Sequence, residues 1–314
     1  RNKLVMTKYD PKDLNGVMPA MITSINKDES INKDGLRKII NHLIAEKVNG
    51  LYVTGSTGET FLMSPDEKKE VLDIIVEEVN GRVPVIAHVG SIGTKITTDL
   101  AKYATSAGVD ALSALPPFYY NFSNEEIYNY YSDIAQSSHL PIIIYNISHA
   151  NLMDIDMLKR LAAIDNIKGV KYTAATHFNF EKIKKEIGAY FKIYSGMDEM
   201  AISGLISGAD GMIGSFYNLM PEMFVGIFQN MKNGNVVEAK KLQDKVNMII
   251  LYALKKSGYP FIKMGLSWMG IDSGYVRKPF SSIVNTEIEK GIKDDLKKLI
   301  SENDLSEIKF LKTL

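Results

Sequence analysis

The 314-residue chain contains no cysteine, which excludes disulfides, thiolate catalysis and cysteine-ligated zinc. It has no surplus of charge either. Its 37 Lys and Arg are matched by 37 Asp and Glu, and no long block carries one sign. The electrostatic footprint of a nucleic-acid or anionic-membrane binder is therefore missing, and the expected partner is a small molecule or another copy of the chain. No stretch approaches the roughly 18 consecutive apolar residues of a membrane span, and positions 1–13 lack the apolar core of a signal peptide. A soluble, cytoplasmic enzyme is the expectation. His42, His88, His139, His149 and His177 show no H-E-x-x-H or comparable spacing, so no metal site is expected. Low-complexity segments and solenoid-length repeats are also lacking.

What is present is alternation. Short apolar, β-branched runs at 16–22, 51–54, 83–88, 111–115, 141–145, 167–171, 191–195 and 211–214 are separated by amphipathic stretches. Ser64-Pro65-Asp66-Glu67 reads as a capping box with proline at the first helical position, and Val71, Leu72, Ile75 and Val79 follow on one face. Leu36, Ile39, Ile40 and Leu43 repeat the pattern, as do Met157, Leu158 and Leu161. Strands buried on both faces and alternating with helices imply a parallel sheet. Sustained over about 230 residues, within the range that α/β barrels use as one unit, the alternation predicts a (β/α)8 TIM barrel. We expect residues 1–232 to form that barrel and to carry the active site. A helical region over 233–314 should pack on it, with helices at 236–256, 286–301 and 304–314.

The chemistry-bearing groups cluster at the ends of the runs. Lys171 follows Ile167-Lys168-Gly169-Val170. A lysine where a buried strand emerges can lose its proton by desolvation and attack a carbonyl, although a lone lysine at a strand end more often snorkels to solvent. Lys168 is its rival but is expected to precede the strand, whereas barrel chemistry gathers at C-terminal strand ends. Tyr145 closes the fifth run, where a phenol can exchange protons with a reacting group. The bland alternative is a core-edge tyrosine. Gly55-Ser56-Thr57-Gly58-Glu59 lacks the following Gly-Lys of a nucleotide P-loop. Its glycines would let backbone N–H groups converge on a small anion, unless it is an ordinary βα turn. Asp198 and Glu199 follow Gly196 and could hold substrate hydroxyls or cap the next helix, with capping favoured for one of them. Tyr119 and Tyr120, after Pro116-Pro117-Phe118, present a phenol or pack as aromatics. Gly211-Met212-Ile213-Gly214 is explained equally well by close packing and by a phosphate site, and no phosphate site is claimed. An amine and an anion cradle together point to a carbon–carbon lyase acting on an oxo acid.

Taken in order, these motifs resemble the pyruvate-dependent class I aldolase family that includes N-acetylneuraminate lyase and dihydrodipicolinate synthase. The likeness runs over about 16–280. It rests on Gly55-Ser56-Thr57-Gly58-Glu59, Ala87-His88-Val89-Gly90, Pro117-Phe118-Tyr119-Tyr120, Tyr145-Asn146-Ile147, Lys171-Tyr172-Thr173, Asp198-Glu199 and Ile213-Gly214-Ser215-Phe216-Tyr217-Asn218. Ser56, Thr173 two residues after Lys171, and the absence of arginine from Ser148-His149-Ala150-Asn151 lie on the lyase side of the family. Two motifs depart from it. Ser148 stands where the family's Tyr-Asn-x-Pro has proline, which loosens the backbone near Tyr145, and Thr23-Ser24-Ile25 replaces the common Thr-Pro-Phe.

The resemblance implies reversible cleavage of N-acetylneuraminate to pyruvate and N-acetylmannosamine, with no metal or organic cofactor, by a homotetramer. It implies Lys171 as the Schiff-base amine, Tyr145 as proton acceptor and Tyr119 as its support. Ser56 and Thr57 would hold the carboxylate, and Thr173, Gly196, Asp198, Glu199 and Ser215 would contact the sugar portion. Alternatives within the family are a 2-keto-3-deoxy sugar acid aldolase or a dihydrodipicolinate synthase. Outside catalysis, a silent sugar-acid-binding sensor is possible, though the retained lysine and tyrosine argue against it. The aromatic segment Tyr259-Pro260-Phe261 has no assigned match.

Overall fold

The computed structural model describes residues 9–150 and 152–314. The first eight positions of the leader reading, and Asn151 of the arginine-free segment, lie outside the described residues. Eight strands form one parallel sheet: β1 (Gly16–Pro19), β2 (Leu51–Val53), β3 (Val85–His88), β4 (Ala111–Ala114), β5 (Ile142–Ile147), β6 (Ile167–Thr173), β7 (Lys192–Ser195) and β8 (Gly211–Gly214). Their order is β1-β8-β7-β6-β5-β4-β3-β2. The remaining seam, between β1 and β2, is bridged at Ala20 and Tyr52, with Met21 N–H donating to the Tyr52 carbonyl at 2.8 Å. The result is a TIM barrel, as the alternation predicts.

Helices α1 (Lys33–Ala45), α2 (Pro65–Val79), α3 (Thr94–Ala107), α4 (Asn124–Ser137), α5 (Ile155–Ala162), α6 (Phe178–Glu186), α7 (Ala201–Ile206) and α8 (Pro221–Lys232) follow the strands in turn. The capping box at α2 forms as expected. Ser64 Oγ accepts from Glu67 N–H at 3.2 Å, and the Glu67 carboxylate accepts from Ser64 N–H at 2.8 Å. Because Pro65 has no N–H, the helix start leaves three orphan N–H groups, and the capping box engages two of them. Val71, Leu72, Ile75 and Val79 are all buried. The apolar stripes of α1 and α5 are buried too, so the core between helices and strands is continuous.

The barrel interior is a separate packed layer. Met18, Tyr52, Ile86, Ile143, Tyr194 and Ile213 fill it, with Tyr52 hydrogen-bonded to Ser113 Oγ at 2.9 Å and Tyr194 donating to the Leu14 carbonyl at 2.6 Å. A floor of large side chains closes the barrel below and leaves room for polar groups at its C-terminal mouth.

Beyond the barrel run α9 (Val236–Leu254), α10 (Tyr259–Trp268) and α11 (Glu287–Glu302). Three expectations need correction. The helix expected at 304–314 is only a short 3-10 turn, Lys309–Thr313. Helix α10 was not anticipated, although Gly258 at φ +46 followed by proline in the first turn is a recognisable start signal. Lys168 does not precede the sixth strand but lies within it as its second residue, and β5 and β6 both extend past the apolar runs, to Ile147 and Thr173. Strand length is set by ladder partners, and the polar residues at this end find theirs in the neighbouring strands.

Candidate active site

Side chains alternate along β6, so Gly169, Lys171 and Thr173 share the interior face while Val170 and Tyr172 join the outer core. Lys171 is therefore not a strand-end lysine free to snorkel: it is only 6% exposed. Its ladder partner on β5 is Tyr145 and its partner on β7 is Tyr194. Lys171 Nζ lies 3.9 Å from the Tyr145 ring centre and 4.7 Å from that of Tyr52. The amine is thus walled by aromatic faces, which can accommodate it as a cation and shield it from water in either state.

The loop after β2 forms the opposite wall. Thr54 takes φ +54, a costly conformation for a β-branched residue. Its hydroxyl donates to the His88 carbonyl at 2.8 Å. Thr57 Oγ1 is 2.7 Å from Ser215 Oγ, so the glycine loop and the end of β8 meet directly. The Tyr259 hydroxyl lies near Thr57, and burial pushes this phenol up to about 12. His88 is held down to about 3, chiefly by burial and further by Lys68 and Lys171. Its Nε2 accepts from Leu115 N–H at 3.2 Å, so in the neutral ring Nδ1 carries the proton and donates to the Thr54 carbonyl, also at 3.2 Å. This histidine ties the ends of β2 and β4 together.

On the far side, Gly196, Asp198, Glu199 and Ser215 line a hollow of about 470 Å³, together with Tyr259 and Phe280. A smaller one of about 270 Å³ is lined by Ser56 and shares Tyr259 and Phe280 with the first. Gly196 is required for packing, because a Cβ there would stand 2.0 Å from Thr173 Oγ1. That hydroxyl is buried without a hydrogen-bond partner among the described residues. Asp198 caps no part of α7. Its Oδ2 accepts from Phe216 N–H at 2.8 Å, and burial raises its carboxyl to about 7. Gly214 approaches so closely that a Cβ would meet Asp198 Oδ1 at 2.0 Å, while a Cβ at Gly211 would meet the Gly16 carbonyl at 2.7 Å. Close packing thus accounts for both glycines. Helix α9 holds the acidic turn from behind, Gln243 donating to the Asp198 carbonyl and Asn247 to that of Glu199, each at 3.0 Å.

Comparison with known proteins agrees with this geometry. The family model described as the dihydrodipicolinate synthetase family matches residues 13–302. The chain belongs to the dihydrodipicolinate synthetase family. Among curated members it is 39% identical to the N-acetylneuraminate lyase of Clostridium perfringens over 280 residues, covering 88% of this chain and 97% of that one. The structure of CdNal from Clostridium difficile in complex with mannosamine superposes with a TM-score of 0.87 at 38% identity, covering 91% of this chain and 99% of that one. N-acetylneuraminate lyase from Fusobacterium nucleatum complexed with pyruvate gives 0.85 at 37%, covering 91% and 97%.

Of the residues that the sequence singles out in this family member, Lys171 and Tyr145 are brought together, and neither lines the two hollows. Ser56, Thr57, Thr173, Gly196, Asp198, Glu199 and Ser215 ring the mouth. Tyr119 is apart: its ring is 85% exposed on the single chain and packs edge-on against Tyr120. The sequence left the Tyr259-Pro260-Phe261 segment without a role; α10 delivers Tyr259 between the two hollows, with Phe280, which the sequence did not single out, beside it. The loop that lost its proline is held by another device. The Asn146 side chain both donates to the Met153 carbonyl at 3.1 Å and accepts from Met153 N–H at 2.8 Å. Among the described residues no helix is long and apolar enough to cross a membrane.

Proposed function

We propose that the protein is a Schiff-base aldolase, a carbon–carbon lyase that reversibly cleaves N-acetylneuraminate to pyruvate and N-acetylmannosamine. The observation that carries this reading is the buried Lys171 amine set against the Tyr145 ring at the barrel mouth, in a chain 39% identical to a lyase of that name. Lys171 Nζ, in its neutral form, attacks the C2 ketone of the open-chain sugar acid, and loss of water leaves an iminium. Tyr145 removes the C4 hydroxyl proton. The electron pair of the breaking C3–C4 bond moves onto the iminium, giving an enamine and the free aldehyde. Protonation at C3 and addition of water then release pyruvate and regenerate the amine.

Ser56 and Thr57 hold the substrate carboxylate, supported by the hydrogen bond between Thr57 and Ser215, with the Tyr259 hydroxyl nearby. Thr173, Gly196, Asp198, Glu199 and Ser215 meet the polyhydroxylated portion, and the unpartnered Thr173 hydroxyl is suited to that contact. The arginine-free stretch after Asn146 favours the lyase over a synthase that captures a second carboxylate. The proposal extends to a homotetramer in the cytoplasm that degrades sialic acid. In it Tyr119, solvent-facing on the single chain, supports Tyr145 once copies associate. Residues 1–232 carry the chemistry, and 233–314 form the helical region packed on the barrel.

Borohydride reduction in the presence of pyruvate, followed by peptide mass spectrometry, tests the reading. The adduct is expected at Lys171 and lost, with activity, in Lys171→Ala. A label at another lysine, Lys168 foremost, would overturn it.

A further inference from the structure

Glu59 and Lys263 form an ion pair 2.6 Å long in which both side chains are only 1% exposed. Neither takes part in the chemistry above. The Lys263 ammonium uses all three of its donors, on Glu59 Oε2, on the Thr23 carbonyl at 2.7 Å and on the Tyr275 carbonyl at 2.6 Å. The second Glu59 oxygen accepts from Arg277 N–H at 2.7 Å. A fully buried ion pair is a poor stabiliser compared with apolar side chains of the same size, but separating its partners leaves a charge buried alone, so it opposes any shift that would draw Glu59 away from Lys263. The geometry held here is unusual, since Glu59 sits at φ +61 in the left-handed region. It ends the Gly55-Ser56-Thr57-Gly58-Glu59 loop, and its N–H closes the turn onto the Ser56 carbonyl at 3.0 Å. Thr23 adds a second tie, its hydroxyl donating to the Gly58 carbonyl at 2.9 Å. Tyr259 and Lys263 lie four residues apart on α10 and so share one face. From that face one residue reaches Thr57 and the other Glu59.

We propose that Lys263 is a positioning residue: through Glu59 it holds the Ser56–Thr57 turn in the shape that receives the carboxylate of an oxo acid. This rests on the aldolase reading, in which that turn binds pyruvate. The deciding measurement is the pyruvate concentration that half-saturates borohydride trapping at Lys171, set beside the KM for the amino sugar in the condensation direction. The double variant Lys263→Met with Glu59→Gln leaves neither charge buried alone. It is expected to unfold cooperatively, to need about tenfold more pyruvate, and to keep the amino-sugar KM within about twofold. A folded double variant with wild-type half-saturation, or one in which both constants rise together, overturns the proposal. Should that variant not fold, Glu59→Gln alone preserves volume and one acceptor. A selective rise for pyruvate then supports the proposal, and no rise overturns it. If the wild-type protein traps no pyruvate at all, the aldolase reading fails and this proposal with it, whereas normal trapping in every variant sinks only the role of Lys263.

Discussion

Lys171 and Tyr145 are direct partners across β5 and β6, and their approach, 3.9 Å from Nζ to ring centre, is set by strand register rather than by a loop. A one-residue slip would turn one of them out of the barrel, because side chains alternate between faces. The pairing is therefore as rigid as the sheet itself, which suits a site whose reacting groups must be aligned in advance.

The Tyr145 phenol can be separated from its ring. Tyr145→Phe keeps the aromatic wall beside Lys171 and removes only the hydroxyl. Turnover should fall by roughly 10²–10⁴, the usual worth of a positioned proton transfer, while pyruvate trapping at Lys171 and thermal stability stay close to wild type. Unchanged kcat would remove Tyr145 from the mechanism.

The acidic turn should govern the sugar and not pyruvate. Asp198→Asn and Glu199→Gln each replace a carboxyl oxygen at the larger hollow with an amide NH2, so kcat/KM for N-acetylneuraminate should drop by about 10-fold or more. The borohydride-trapped pyruvate adduct should form as before. Wild-type kinetics in both variants would reduce these carboxylates to structural roles, Asp198 holding the Phe216 N–H.

Asp198 also imposes a pH dependence on stability. Burial raises its carboxyl from 3.8 to about 7, so the folded protein binds this proton more tightly than the unfolded chain does. The associated stabilisation is complete below about pH 4 and is lost as pH rises through 7. His88, held down to about 3 in the fold, acts in the opposite sense over the acid range, so the comparison must be between variant and parent. Between pH 5 and 8, urea denaturation should show Asp198→Asn losing less stability than wild type, by about 2–3 kcal/mol at most. Equal losses in the two proteins would place the Asp198 carboxyl near its ordinary value.

Association of copies is expected to matter for activity. Tyr119 is 85% and Tyr120 62% exposed, an unusual setting for adjacent aromatics on an isolated chain. Light scattering of an active preparation at micromolar concentration should give four times the chain mass of 35.0 kDa. Tyr119→Ala should lower both that mass and kcat. A fully active monomer would contradict the assembly and the supporting role of Tyr119 together.

Much of this was legible before any coordinates. The buried runs and the capping box at Ser64 are local signals, governed by side-chain periodicity and by the hydrogen bonds that a helix start leaves open. They determined the order of eight strands and the barrel helices. That Thr173 shares the face of Lys171 was not legible in the same way: the apolar run ends at Lys171, and only the extension of β6 to Thr173 brings the strand period of two to bear.

Other features could be decided only by packing between segments far apart in the chain. The Glu59–Lys263 pair joins residues 204 positions apart, and nothing near either residue signals the other. Tyr259 reaches Thr57 only because α10 folds over the barrel mouth. The acidity of Asp198 depends on burial by β8 and its following turn, and the neutral state of His88 on its own burial and on the nearby Lys68 and Lys171. Periodicity and capping are written in neighbouring residues, so the sequence alone determines them. Burial, charge pairing and proton affinity depend on what surrounds a group in space, and only the tertiary structure decides them.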